Sequence, residues 1–356
     1  MEKESKIYVA GHRGLVGSAI INNLTSKGYT NLIFKTHTDL NLINQDEVKG
    51  FFETEKPEYV ILAAAKVGGI VANNTYRADF IYENMMIQNN VIHQSYLSGV
   101  KKLLFLGSTC IYPRDTSQPM SENSLLTSEL EYTNEPYAIA KISGIKMCES
   151  YNIQYGTNFI SVMPTNLYGP NDNFDLEKSH VLPALVRKIY LGKCLENDNL
   201  AAIKEDLNKN PIEGVNGDSS EKEIFAILNK YGVIKGMIEI WGSGQPRREF
   251  LWSEDMADAC VFLLENRDFK DTFNHNTNQI RNTHINIGTG VDISIKELAY
   301  KIKAEIGYKG GFNFNLSKPD GTIKKLTDVS KLDALGWQHK VSLAKGVKKM
   351  YAWYLS

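Results

Sequence analysis

Over roughly the first 165 residues, short apolar runs alternate with stretches of helical period. The runs Ile7–Ala10, Tyr59–Ala63, Leu103–Leu106 and Phe159–Val162 are continuously apolar, as expected of strands buried on both faces, and Asn31–Lys35 reads as a further strand. Between them, helices are expected to Lys27, from about Asp79 to Ser98, and from Pro136 to Tyr155, where Ala138, Ala140, Ile142 and Ile145 supply the apolar side. Alternating strand and helix predicts a parallel sheet covered on both faces, an α/β fold of the Rossmann-type, doubly wound kind.

Beyond Asn171 the pattern becomes shorter and less regular. A helix is expected from about Val181 to Lys193, a strand from Met237 to Trp241, a helix from Glu254 to Glu265 and a strand at His284–Gly288. Ser294-x-x-Glu297 caps another helix, and two C-terminal helices are broken at Gly336. Residues 195–235, rich in Asn, Lys, Glu and Asp, read as a surface insertion, partly folded because Ser220-x-x-Glu223 makes a capping box ahead of Ile224, Ile227, Leu228 and Tyr231. The expected division is a dinucleotide-binding domain of 1–170 plus about 243–290, and a smaller, mixed α/β C-terminal substrate domain of about 171–242 plus 291–356.

Composition narrows the partner. With 42% apolar residues and a net charge of −1, the chain has no basic excess for nucleic acid or an anionic membrane surface. No apolar run reaches the ~18 residues of a membrane span, and the N-terminus lacks a signal-peptide pattern, so a cytoplasmic protein with a small-molecule partner is expected. Cys110, Cys148, Cys194 and Cys260 lie far apart without metal-ligand spacing, which predicts reduced thiols and no metal. Asp206-x-Asn208-x-Asn210 begins like a calcium loop, but Pro211 stands where glycine is needed and Gly217 where a glutamate is needed.

The candidate chemistry sits at the ends of the predicted strands. Gly11-His12-Arg13-Gly14-Leu15-Val16-Gly17 follows the first strand and opens a helix, a spacing that lets backbone approach a pyrophosphate and aims a helix N-terminus at its charge. After the second strand come Lys35 and His37, with Arg13 nearby; positive groups there match the 2′-phosphate of NADP, whereas Asp39 reaching the ribose would favour NAD. The small-residue loop from Ala64 to Val71 suits a path along the cofactor, and Ser108, Thr109 and Cys110 follow the fourth strand. Tyr137 and Lys141, four apart, project from one helical face, where an ammonium would lower the tyrosine pKa for acid/base work.

This combination resembles the extended short-chain dehydrogenase/reductases that act on nucleotide sugars. The similar stretches run nearly end to end: Ala10–Gly14, Ala63–Tyr76, Cys110–Pro113, Asn134–Lys141, Val162–Pro170, Trp241–Gly244, Arg248–Leu251 and Ser317–Gly321. Only 195–235 is foreign to the pattern. The resemblance implies an NADP(H)-dependent enzyme acting on a GDP-linked 4-keto-6-deoxy hexose. It implies Cys110 and His180 as base and acid for C3/C5 epimerisation, Ser108 and Tyr137 on the C4 oxygen, and Lys141 on both Tyr137 and the nicotinamide ribose. Asn166 is placed with cofactor and substrate, and Arg187, Trp241, Arg248 and Lys318 with the nucleotide sugar. A related GDP-4-keto-heptose reduced at C4 is the alternative substrate, and a non-catalytic NADP-binding sensor the alternative role. A homodimer through the helices near 79–98 and 136–155 is also implied.

Overall fold

In a computed structural model, which describes residues 1–276, 278–318 and 320–356, the chain forms two compact units. The first comprises 1–171, 249–291 and 326–342, and the second 172–248, 292–325 and 343–356.

In chain order the first segment runs β1 (Ile7–Ala10), α1 (Leu15–Ser26), β2 (Leu32–Ile33), α2 (Gln45–Glu55), β3 (Tyr59–Leu62), α3 (Ile70–Thr75), α4 (Arg77–Leu97), β4 (Lys102–Leu106), α5 (Glu135–Tyr155), β5 (Phe159–Pro164) and β6 (Asn166–Tyr168). Then follow α6 (Val181–Glu196), α7 (Leu200–Lys209), α8 (Glu221–Lys230), β7 (Val233–Ile234), β8 (Met237–Trp241), β9 (Arg247–Trp252) and α9 (Ser253–Asn266). The chain ends with β10 (Ile285–Ile287), β11 (Asp292–Ser294), α10 (Ile295–Ile306), β12 (Gly311–Asn315), β13 (Lys324–Lys325), α11 (Ser330–Ala334) and α12 (Leu343–Leu355).

In the first unit six parallel strands lie in the order β10-β5-β4-β3-β1-β2. One face packs Ile7, Val9, Leu104 and Ile160 against α1 and α9 residues such as Ile20, Leu24, Met256 and Val261. The other packs Tyr8, Val60, Leu103 and Phe105 against Phe51, Phe52, Val91 and Ile145 of α2, α4 and α5. Successive side chains of each strand therefore feed opposite cores, which is why the strands read as unbroken apolar runs. The second strand is shorter than its apolar run: only Leu32 and Ile33 pair, with Ile7 and Tyr8 at the sheet edge. The loop after β3 ends at Gly69, and the short helix α3 follows.

The second unit holds a three-stranded sheet, β12-β8-β7, in which β12 and β8 are parallel with Asn315 opposite Trp241, while β7 runs antiparallel to β8. The capping box at Ser220 and Glu223 is present, and α8 follows it. The reading of 195–235 as a surface insertion needs correction. Ile203, Leu207, Ile224 and Leu228 of α7 and α8 share one buried cluster with Leu191 and Cys194 of α6, so this segment builds part of the core of its unit. No helix among the described residues is long and apolar enough to cross a membrane.

Candidate active site

The turn after β1 is shaped by absent side chains. Gly11 has φ +84, and a Cβ on it would lie 2.7 Å from the Ala64 nitrogen; one on Gly17 would lie 2.1 Å from the Gly11 oxygen. Backbone thus packs on backbone, and the Ala63–Ala64 peptide lies directly against the glycine turn. Helix α1 begins at Leu15 with Gly14 as N-cap, no side-chain cap bond and no acidic residue in its first turn. Its leading N–H groups and positive dipole end fit the pyrophosphate of a dinucleotide.

Around the expected ribose position the charges are divided. The Asp39 carboxylate is tied into its own turn, accepting the Thr36 N–H at 3.0 Å and the Thr36 hydroxyl at 2.6 Å, and those bonds hold its pKa below the usual carboxylate value. Lys35 pairs with Glu55 at 3.5 Å, and the His12 ring lies 4.8 Å from that of Phe34. The loop after β3 is held by two buried asparagines. Asn84 accepts the Lys66 N–H at 3.0 Å and donates to the Lys66 carbonyl at 3.0 Å, while Asn73 donates to the Gly68 carbonyl at 2.7 Å.

At the end of β4, Ser108 accepts the Cys110 N–H at 3.3 Å and caps a 3-10 turn, which leaves the Ser108 O–H available to donate. Opposite it, α5 presents Tyr137 and Lys141. Lys141 is buried and donates from Nζ to the Leu106 carbonyl at 2.8 Å; its ammonium lies 4.9 Å from the Phe105 ring centroid and 5.7 Å from that of Tyr137. The Phe80 ring meets Tyr137 edge-on at 6.3 Å.

The electrostatics correct one expectation. Burial pushes the Tyr137 phenol well above its ordinary 10.0, and a negative Cys110 would push it further. Lys141 does not lower it here because the ammonium is directed to the Leu106 carbonyl. Burial in turn lowers Lys141 from 10.5 to about 8, against which a Cys110 thiolate acts in the opposite direction. Cys110, Tyr137 and Lys141 therefore lie within electrostatic reach of one another, the ammonium favouring a thiolate. Asn166, on β6, donates its amide N–H to the Glu249 carbonyl at 2.9 Å.

In the second unit His180 precedes α6 as its N-cap residue, makes no side-chain cap bond and keeps an exposed surface. Desolvation nonetheless lowers its imidazole pKa, which favours the neutral ring. Trp241, at the end of β8, is about half exposed, and the Lys318 ammonium sits 4.9 Å from its ring centroid. Lys318 is brought there by the parallel β12–β8 pairing, which places Asn315 opposite Trp241; Pro319 lies outside the described residues. Arg248 donates from Nη1 to the Thr322 carbonyl at 2.6 Å and the Arg247 carbonyl at 2.8 Å.

Arg187 is the second correction. It is fully buried, and its guanidinium is spent on Asp206, at 2.8 and 3.0 Å, and on the Phe174 carbonyl at 3.1 Å. Its place on the inner side of α6, facing α7, makes it structural. The adjacent Lys188 was overlooked: its buried ammonium has a pKa lowered by desolvation to about 8 and donates to the Glu239 carbonyl at 3.2 Å. Asn84 and Glu249 are buried as well, and neither stands out in the sequence, since Asn84 follows Glu83 and Glu249 follows Arg247-Arg248. Among the described residues no cluster of three His, Cys, Asp or Glu side chains is placed to hold a metal.

Comparison with known proteins adds to this geometry. The model of the NAD dependent epimerase/dehydratase family matches residues 7–205 and 212–288. The chain is 51% identical over 354 residues to GDP-L-fucose synthase 1 of Arabidopsis thaliana, covering 99% of this chain and 94% of that one. It is 48% identical over 352 residues to GDP-L-fucose synthase of Escherichia coli, covering 99% and 97%. Among solved structures, MlghC, a GDP-mannoheptose C4 reductase from Campylobacter jejuni with NADP bound, superposes with a TM-score of 0.88 at 47% identity, with both chains covered in full.

Proposed function

The chain belongs to the NAD-dependent epimerase/dehydratase family, and from that premise we propose that it converts GDP-4-keto-6-deoxy-D-mannose to GDP-L-fucose, epimerising C3 and C5 and then reducing the C4 ketone with NADPH. The observation that carries the reading is the grouping of Cys110, Tyr137 and Lys141 past the end of β4, in the same unit as a glycine turn suited to a dinucleotide.

Gly11, Gly14, Leu15, Val16 and Gly17 would hold the pyrophosphate, with Arg13, Lys35 and His37 toward a 2′-phosphate and Ala64, Lys141 and Asn166 along the nicotinamide half. Asp39 has its Oδ2 engaged by Thr36 within its own turn, which supports NADP over NAD. When bound, the nicotinamide supplies the hydride that reduces C4.

The C4 ketone acidifies the hydrogens at C3 and C5. Cys110, as thiolate, removes one of these protons, and Lys141 stabilises that thiolate. Ser108 and Tyr137 donate to the C4 oxygen and stabilise the enolate as its charge develops. His180, in its protonated form, returns a proton to the carbon on the opposite face and so inverts it. In the reduction, the raised pKa of Tyr137 keeps its proton in place at neutral pH until the C4 oxygen becomes an alkoxide and takes it. Trp241, Arg248 and Lys318 would hold the GDP, with guanidinium and ammonium on the diphosphate.

The test is incubation with the keto-hexose and NADPH in D2O. Deuterium at C3 and C5 together with GDP-L-fucose is expected, and Cys110→Ser should abolish exchange while still reducing an already epimerised ketone. Reduction without deuterium would overturn the reading. A second reading, C4 reduction of a GDP-linked 4-keto-heptose, is supported by the 47% identity to the mannoheptose reductase; preference for that substrate in the same assay would select it.

A homodimer through α4 and α5 is part of the proposal. A groove of about 370 Å³ lined by Arg77, Ala78, Ile81, Glu135, Pro136 and Ile139 opens on these helices, and Tyr82 is 60% exposed. Light scattering of the wild type and of Ile81→Asp would test it. Four cysteines without a disulfide suit the reducing cytoplasm.

A further inference from the structure

Arg-Arg-Glu-Phe-Leu-Trp is the sequence of β9, and its glutamate is fully buried. A carboxylate in such a place must be matched by donors. Glu249 has five contacts of this kind. Oε1 accepts the N–H of Thr289 at 2.5 Å, the N–H of Gly290 at 2.7 Å and the Thr289 hydroxyl at 3.4 Å. Oε2 accepts the N–H of Thr327 at 3.0 Å and the Thr327 hydroxyl at 2.5 Å. Space has been cleared for it as well, since a Cβ on Gly288 would lie 2.3 Å from Oε1.

The donors come from particular places in the chain. The polypeptide passes between its two units at 248/249, 291/292 and 325/326, besides 171/172 and 342/343. Glu249 begins one returning segment, Gly290 nearly ends that segment, and Thr327 nearly begins the next. Within the first unit, one carboxylate therefore ties together three chain stretches that adjoin crossings. Its backbone carbonyl holds the Asn166 amide as well.

Along a strand successive side chains point to opposite faces. With Glu249 fixed inward, Arg248 must point the other way, where its Nη1 is held by the Thr322 carbonyl and β13 pairs Lys325 with Arg248. We infer that Glu249 is a positioning residue for nucleotide-sugar binding, its buried carboxylate fixing the strand from which Arg248 reaches the diphosphate. The inference rests on the proposed role of Arg248 with GDP.

Glu249→Gln keeps size and removes charge. The new NH2 then faces the N–H of Thr327, two donors with no acceptor between them, and β9 must shift to separate them. GDP alone is the probe, titrated calorimetrically into the full-length protein, with NADPH titrated in parallel. Wild type should bind GDP; E249Q should bind it about tenfold more weakly, the equivalent of one charge-assisted hydrogen bond. The same variant should show a matching rise in KM for the keto-sugar, kcat within about twofold and NADPH affinity unchanged. Glu249→Asp, which keeps the carboxylate, should recover part of the loss. If E249Q fails to fold, Thr327→Val removes one donor at the same carboxylate and should weaken GDP in the same selective way. Wild type that does not bind GDP would refute the functional reading. Wild type that binds GDP, with E249Q or T327V unchanged or losing GDP and NADPH together, would refute the positioning role.

Discussion

Replacing Lys141 by methionine separates what the ammonium does for chemistry from what its burial does to stability. Burial lowers its pKa from 10.5 to about 8, so the folded protein releases this proton before the unfolded chain does. Between about pH 8 and 10.5 the unfolded state binds more protons, and stability contributed by this site rises with pH. Below pH 8 the charged form carries a burial penalty of about 3 kcal/mol, from a difference of 2.5 units. Methionine removes that penalty but leaves the Leu106 carbonyl without its donor, a loss of about 1–3 kcal/mol. At pH 7, Lys141→Met should therefore be equal to or up to about 2 kcal/mol more stable than wild type without ligand, while reduction is abolished.

The pH dependence is the sharper readout. From pH 7 to 9.5 the wild type should gain about 2 kcal/mol relative to Lys141→Met, because other titrating groups cancel in the difference. Urea unfolding of both proteins at fixed ionic strength over that range measures it. A difference flat to within about 0.5 kcal/mol would show that Lys141 is not a desolvated ammonium, and the argument for its influence on Cys110 would fall with it.

Tyr137→Phe should lower kcat by about 10²- to 10⁴-fold, with solvent exchange at C3 and C5 less affected than C4 reduction; equal loss of both would mean that Tyr137 serves only the enolate. Arg187→Leu should destabilise the protein by about 3–5 kcal/mol, because Asp206 is left buried without its cation, yet leave the KM of whatever folds unchanged; a large KM effect at full stability would restore Arg187 to the substrate site. Gly17→Ala forces a Cβ to within 2.1 Å of the Gly11 oxygen and should weaken NADPH binding by at least about tenfold, measured by fluorescence titration. Arg13→Ala should raise KM for NADPH far more than for NADH, and an equal effect on both would argue against a 2′-phosphate contact.

Local pattern alone carried much of this protein. Unbroken apolar runs at Ile7, Tyr59, Leu103 and Phe159 announce strands buried on both faces, because a parallel sheet offers each side chain a core whichever way it points. The glycine turn, the Tyr137–Lys141 spacing and the Ser220 capping box were equally legible, since each depends on residues within one or two turns of chain. What long-range packing decided lay beyond such patterns. Arg187 became structural only because α7 sets Asp206 against it, from a segment whose polar composition suggested a partly folded surface insertion. The direction of the Tyr137 shift depends on how far solvent is excluded and on the Lys141 ammonium turning to a carbonyl of β4, neither of which the four-residue spacing specifies. Glu249 is one of three charged residues at the start of β9 until folding gathers Thr289, Gly290 and Thr327 around it. Residue periodicity fixes which face a side chain occupies; desolvation and partner supply, which set its charge and its role, are properties of the assembled chain.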